Sequence, residues 1–506
     1  MFQVLHHDSY DPDASLCQVI SFNVNKPDLD FLFYPKCIGP CYGPGYASPL
    51  DAMRGPREKL MYVVCVLSGT ESREPDYLAT VDVDPESPCY CQVIHRLCMT
   101  HLDDELHHSG WNASISSFGD TGIERNCLIL PGLISGRVYV VDTSSDLCAP
   151  SLCKIIETRE IIKKTNLGFL YRSRCLSSGE VLVSALGDAF GNGRGGLLVL
   201  DPETWEVKGS WECPEDGHHG MFDFWYQPRH NVLISAHAGE PKFLISGFSP
   251  DNLRKGRYGG HLDVWDLTTH RLLQSIDVGE DSGPIEIRFL HNPNSVHGFV
   301  ACPLESSIHH FFKTEGGCWV AKKVIQVPNK KVSGWIYPEM PGFTYDIIIS
   351  LDDRFLYASN WVHGDVRQYD ITDPHCPKLV GQVFLGGSLE KGGPVNVLED
   401  LELDCQPDPF VIQGRKLKGG PRALQLSLDG TRLYVTNSVD TPWDKQFYPE
   451  MVREGSVMLQ LDVDTVKGGL CVNPEFLVDF GHEPCGPARA KGMRYPGGDC
   501  TSDIWE

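Results

Sequence analysis

The chain has 506 residues, 41% of them hydrophobic, and a formal net charge of −23. Its pI near 5.2 argues against a nucleic-acid backbone or an anionic membrane surface as the main partner, and no apolar run is long enough to span a bilayer. The first eight residues lack the basic and apolar regions of a signal peptide, so the nineteen cysteines read as mostly reduced thiols in the cytosol.

In chain order, residues 1–36 fit no repeating unit and read as an N-terminal extension, partly disordered, ahead of a single domain over 37–506. Neither Cys37 with Cys41 nor Cys89 with Cys91 has zinc-site spacing. Residues 61–84 read as the later strands of one unit. Copies of a strand–turn–strand–loop–strand template follow around 111–142, 167–201, 221–266 and 285–312. The template is fullest at 344–370 and 423–464. There, Ser350-Leu-Asp-Asp-Arg-Phe-Leu-Tyr-Ala-Ser-Asn360 and Ser427-Leu-Asp-Gly-Thr-Arg-Leu-Tyr-Val-Thr-Asn437 write one β-hairpin twice. Roughly seven units of about 45–75 residues predict an all-β fold, a seven-bladed β-propeller with long inter-strand loops. The loops are 240–260, 384–420 and 441–454, and the tail 494–505 is predicted to complete the ring.

In a propeller the start of each first strand and the loop after each second strand open onto one face. His107 and His108 precede a first strand, and His363 lies in a loop after a second strand. His237 ends another second strand. Neutral imidazoles suit copper, zinc or iron, although adjacent histidines are equally at home as polar loop residues. Asp223, Glu286 and Asp346 take matching points early in three first strands. Acids there are costly unless paired, hydrated or coordinating. They read as the wall of a water-filled channel or, in a metal-assisted hydrolase, as ligands of a hard cation. Cys65 aligns with Asn360; it is a buried strand cysteine by default and reactive if its thiol pKa is lowered. His230 and His291 fall in turns on the opposite face, and His309 and His310 read as structural strand residues. Gly191-Asn-Gly-Arg-Gly-Gly196 has dinucleotide-fingerprint spacing but leads into a strand, so it is a loop.

Several long phrases carry a resemblance. They are Tyr77-Leu-Ala-Thr-Val-Asp-Val-Asp-Pro85, Asp104-Glu-Leu-His-His-Ser-Gly-Trp111, Asp223-Phe-Trp-Tyr-Gln-Pro-Arg-His-Asn-Val232 and Glu286-Ile-Arg-Phe-Leu-His-Asn-Pro293. Trp443-Asp-Lys-Gln-Phe-Tyr-Pro449 and Arg494-Tyr-Pro-Gly-Gly-Asp499 belong with them. From about residue 40 onward the chain resembles the selenium-binding protein family. The resemblance implies a methanethiol oxidase, turning methanethiol, oxygen and water into formaldehyde, hydrogen sulfide and hydrogen peroxide. It implies copper, for which His107, His108 and His363 are the candidate ligands and catalytic residues. It also implies selenium bound through a cysteine that maps onto Cys65. The family is mainly cytosolic, with nuclear and peripheral-membrane pools in some members. The alternative is a non-catalytic selenium- or thiol-binding propeller that docks protein partners on its loop faces. The chain departs from the family pattern at Ala490-Lys491-Gly492, where Ala-His-Glu is usual, and at Ala236-His237-Ala238, where a Glu-Trp is usual.

Overall fold

The computed structural model describes residues 45–496, apart from 116–117, 121, 217–219 and 281, together with 504–505. The expected extension over 1–36, and Cys37 and Cys41, lie outside the described residues.

The twin phrases form the same turn. Asp353 N–H donates to the Ser350 carbonyl at 2.9 Å, and Gly430 N–H to the Ser427 carbonyl at 3.0 Å. Each serine hydroxyl also donates to the aspartate two residues on, Asp352 at 2.6 Å and Asp429 at 2.7 Å. The fourth position is left-handed in both, with φ +57° at Asp353 and +72° at Gly430, conformations that Asp and Gly tolerate. The strand Phe355–Asn360 follows as the sequence predicts.

Seven four-stranded antiparallel sheets lie among the described residues, two of them carrying this turn. Six use four consecutive strands. The seventh joins Leu60–Val66, Tyr77–Asp82 and Val93–Cys98 to a strand from the far end of the chain, Arg489–Arg494, which pairs with Leu60–Val66. Residues 61–84 are thus later strands of a unit, as expected. The closing strand lies upstream of the predicted tail, meeting it only at Arg494. An all-β arrangement with this closure is consistent with a β-propeller.

Strands deep in the fold are buried on both faces because neighbouring sheets cover both. All seven residues of Leu60–Val66 and all six of Thr344–Ile349 are buried, whereas the outermost strand Ser151–Ile156 is largely exposed. Packing between first strands is tight. A Cβ at Gly110 would sit 2.3 Å from the Ser173 carbonyl oxygen of the next sheet, so only glycine lets the chain after His107 and His108 approach it.

The three long inserts are not plain loops. Short helices occupy Pro241–Leu244, Pro250–Arg254, Thr441–Phe447 and Pro449–Glu454. Asn396–Glu399 joins a small three-stranded sheet. Proline sits in the first turn of each helix, and Asp440 accepts from Trp443 N–H as an N-cap, start signals legible in sequence. All fifteen described cysteines are free thiols.

Candidate functional site

First strands of successive sheets bring charged side chains to one buried cluster. Tyr171, Arg172 and Arg174 come from Leu167–Cys175, Glu286 and Arg288 from Glu286–Phe289, and Asp346 from Thr344–Ile349. Asp223 and Arg422 lie just ahead of Phe224–Gln227 and Leu424–Leu426. Asp223 meets Arg172 at 3.0 Å, Arg174 at 3.2 Å and Arg288 at 3.1 Å. Glu286 meets Arg172 at 2.5 Å and Arg288 at 3.1 Å, and Asp346 lies 3.6 Å from Arg288.

The three acids are therefore brought together, but by arginines. This corrects the expectation of a hard-cation site: Asp223 and Glu286 face guanidinium groups, which supply the positive charge that calcium would supply, and Asp346 accepts from Leu424 N–H at 2.9 Å. Burial pushes Asp223 up, but Arg172, Arg174 and Arg288 outweigh it and hold the carboxyl below its usual range. Burial raises Glu286 to about 7 despite Arg172, with Asp346 adding to the rise.

His107 and His108 sit beside this network, their rings 4.6 Å apart and both against Tyr171, at 4.4 and 4.8 Å. Arg422 binds the trio, its Nη2 3.0 Å from His108 Nε2, 3.2 Å from the Tyr171 hydroxyl and 3.4 Å from His107 Nδ1. Arg172 also approaches His108 Nε2, at 3.3 Å. Burial, with the charges of Lys491, Arg422 and Arg172, holds His107 well below its usual pKa. Burial, Arg172 and Arg422 do the same to His108. Both imidazoles are neutral at pH 7.

Arg422 is fully buried. Its Nε and Nη1 make no hydrogen bond among the described residues, and its recorded acceptors are two imidazoles and a phenol. It stacks over the Tyr345 ring at 4.8 Å. Tyr345 in turn lines a cavity of about 40 Å³ with Phe222, Val439, Asp440 and Trp443, room for a molecule of a few heavy atoms. Burial raises Asp440 to about 7, against the pull of Lys491. That value suits a group exchanging protons near neutrality. Sequence reasoning missed Arg172, Arg422 and Asp440. The charged pair in the otherwise strand-like Tyr171-Arg-Ser-Arg174 was the available signal.

His363 is not part of this group. It is fully buried, its Nε2 3.2 Å from the Met340 carbonyl, and burial lowers its pKa to about 4. Among the described residues, three donors converge within 4.8 Å of one another at His297, His310 and His375, a geometry capable of metal coordination. His107, His108 and His363 do not converge in this way. Copper, which the resemblance implies, would have to bind at the His107–His108 pair. The pair offers two imidazoles, the His108 Nε2 lone pair already faces two guanidinium groups, and Lys491 adds a third cation. These residues do not fit a copper ion.

Cys65 is the penultimate residue of Leu60–Val66, paired to Tyr77 and Ala490 and fully buried in an apolar cluster. Burial, with Glu483 adding to it, raises its thiol pKa well above the usual value. A buried thiol raised in this way matches the buried strand cysteine of the sequence reading, whereas reactivity calls for a lowered one. His237 stacks on His261 at 4.4 Å. At the other departure, Lys491 is buried with Nζ 2.5 Å from Glu105. A Cβ on Gly492 would lie 3.1 Å from the His107 carbonyl and 3.7 Å from His108 Nδ1, so this departure in the last strand borders the histidine pair.

Comparison with known proteins places this geometry in context. The family described as 56kDa selenium binding protein (SBP56) matches residues 40–506. A curated relative from Homo sapiens, named methanethiol oxidase, is 60% identical over 470 residues, 93% of this chain and 99% of its own length. One from Xenopus tropicalis with the same name is 59% identical over 471 residues, again 93% and 99%. Among solved structures, a hypothetical selenium-binding protein from Sulfolobus tokodaii superposes with TM-score 0.80 at 36% identity, covering 91% of this chain and 98% of that one. The chain belongs to the 56kDa selenium-binding protein family.

Proposed function

We propose that this chain is a methanethiol oxidase acting at the His107–His108–Arg422 cluster, within a seven-bladed propeller whose blades are the seven four-stranded sheets of one domain beginning near residue 37. The observation that carries the activity is identity of about 60% across nearly the whole length of relatives bearing that name. The reaction balances as methanethiol plus O2 plus water giving formaldehyde, hydrogen sulfide and hydrogen peroxide. Carbon gives up two electrons, oxygen takes them to become peroxide, water supplies the carbonyl oxygen, and the C–S bond breaks to release sulfide.

The chain's own residues supply binding and proton handling. The thiol enters the small cavity beside Tyr345, and Asp440, poised near pH 7, accepts its proton. Arg422, a buried guanidinium with unpartnered nitrogens, holds the resulting thiolate, the anion that such a group lacks. The neutral imidazoles of His107 and His108 contact Arg422 from outside that cavity and leave its positive charge uncompensated. Copper is not assigned to this cluster, and Cys65 is not assigned as a selenium ligand. Metal binding and thiol or selenium binding are general capacities that family membership supports. The free thiols suit the proposed cytosolic location.

One observation favours a second reading, a non-catalytic thiol-binding scaffold. The Lys491–Glu105 ion pair and Gly492 replace the usual family residues beside the histidine pair. Purified protein incubated with methanethiol and oxygen separates the two. Equimolar sulfide and peroxide support the oxidase, and thiol binding without either product supports the scaffold.

A further inference from the structure

We propose that His297, His310 and His375 form a second site, a partly buried metal site for a borderline divalent ion of the zinc class, which staples two neighbouring sheets together. His297 opens the strand His297–Cys302, and His310 lies in its partner Ser307–Lys313. Phe299 pairs with His310, and His297 with Phe312, so the two histidines project on the same side of one hairpin. His375 comes from the next sheet, in the connection between Asp365–Asp370 and Lys378–Phe384. Its backbone is fixed by a hydrogen bond from its N–H to Asp373 at 3.0 Å.

One nitrogen of each ring lies within 4.8 Å of the other two, and His297 Nδ1 is 2.9 Å from His310 Nε2. Tetrahedral bonds of about 2.0–2.1 Å place nitrogens roughly 3.4 Å apart, so a modest turn of the exposed His375 ring brings the third donor in. The rings are already oriented. Phe312 packs against His310 at 4.9 Å and edge-on to His375 at 4.9 Å. His310 Nδ1 is buried with no hydrogen-bond partner among the described residues. An imidazole pair that satisfies itself through one shared contact gains by giving its lone pairs to a metal. The charged group facing the cluster is Lys322, whose Nζ lies 5.6 Å over the Phe312 ring. It is exposed and screened by solvent.

Three neutral nitrogens select a borderline ion over calcium or magnesium, and exposure at His375 leaves the fourth position to water. Because donors come from two sheets, the ion favours the folded chain. Free metal at about 100 times its Kd raises the folded-to-unfolded ratio about 100-fold.

The test uses the full chain, stripped with a chelator and titrated with Zn²⁺, and with Co²⁺ as a spectroscopic probe. The proposal expects one Zn²⁺ bound and a raised Tm in wild type. It expects affinity at least about 10-fold weaker in His297→Gln and His375→Gln, a loss already typical of disturbing an outer-shell partner. His107→Ala should keep the ion, and tetrahedral Co²⁺ bands should vanish in His375→Gln. His375 is exposed, so the metal-free variant should melt with wild type. No Zn²⁺ bound, unchanged affinity in both glutamine variants, or octahedral Co²⁺ would overturn it.

Discussion

Replacing Arg422 with methionine separates its two effects. In the wild type this guanidinium is fully buried, touches neutral acceptors at 3.0, 3.2 and 3.4 Å and leaves two nitrogens unpartnered. If it holds the thiolate, Arg422→Met removes a charge-assisted hydrogen bond worth about 1.5–3 kcal/mol, which lowers kcat/KM about 10- to 150-fold. Stability should move little. Removing a buried charge that has only neutral acceptors recovers its desolvation cost, which offsets the lost neutral contacts of about 1 kcal/mol each. With an unfolding entropy of about 2.1 cal/mol/K per residue, a chain of 506 residues shifts by roughly 1 °C per kcal/mol. A Tm within about 2 °C of wild type is therefore expected. The assay is initial-rate sulfide release against methanethiol concentration, with scanning calorimetry on the same samples. Arg422→Lys should retain part of the activity, because it keeps the charge but not the fork. Full kcat/KM in Arg422→Met, or a Tm lowered by more than about 5 °C, would refute the reasoning.

Acid should destabilise the fold through His363. Its folded pKa near 4 lies below the unfolded value of about 6.5, so the unfolded chain binds the proton that the folded chain refuses. The contribution is present above about pH 6.5 and lost as pH falls towards about 4, amounting to about 3 kcal/mol. Urea midpoints should fall less steeply over that window in His363→Gln than in wild type; equal slopes would contradict the assignment. Cys65→Ser should leave selenite labelling of the native protein unchanged, because the thiol is buried with a raised pKa. Loss of labelling in a folded Cys65→Ser protein would restore the cysteine to the site.

The repeat was legible because a hairpin needs a local code: apolar alternation and a Ser-Leu-Asp turn, both present twice. The same code placed His107, His108, Asp223, Glu286 and Asp346 at the starts of first strands, where they lie. It could not say what the acids face. Arg172 lies 51 residues from Asp223 and 114 from Glu286 in sequence, and the pairing exists only once sheets stack side by side. His363 shows a second limit. Template alignment locates a backbone on a rim, but the side chain turns inward to the Met340 carbonyl. His310 reads as structural in sequence because one hairpin cannot reveal that a histidine from the next sheet closes over it.

The most direct test is turnover by the purified full chain, with sulfide, peroxide and formaldehyde measured together from methanethiol under oxygen. The account predicts the three products in equal amounts, with a rate that falls in Arg422→Met. Thiol bound at the cluster with no sulfide and no peroxide formed would contradict it.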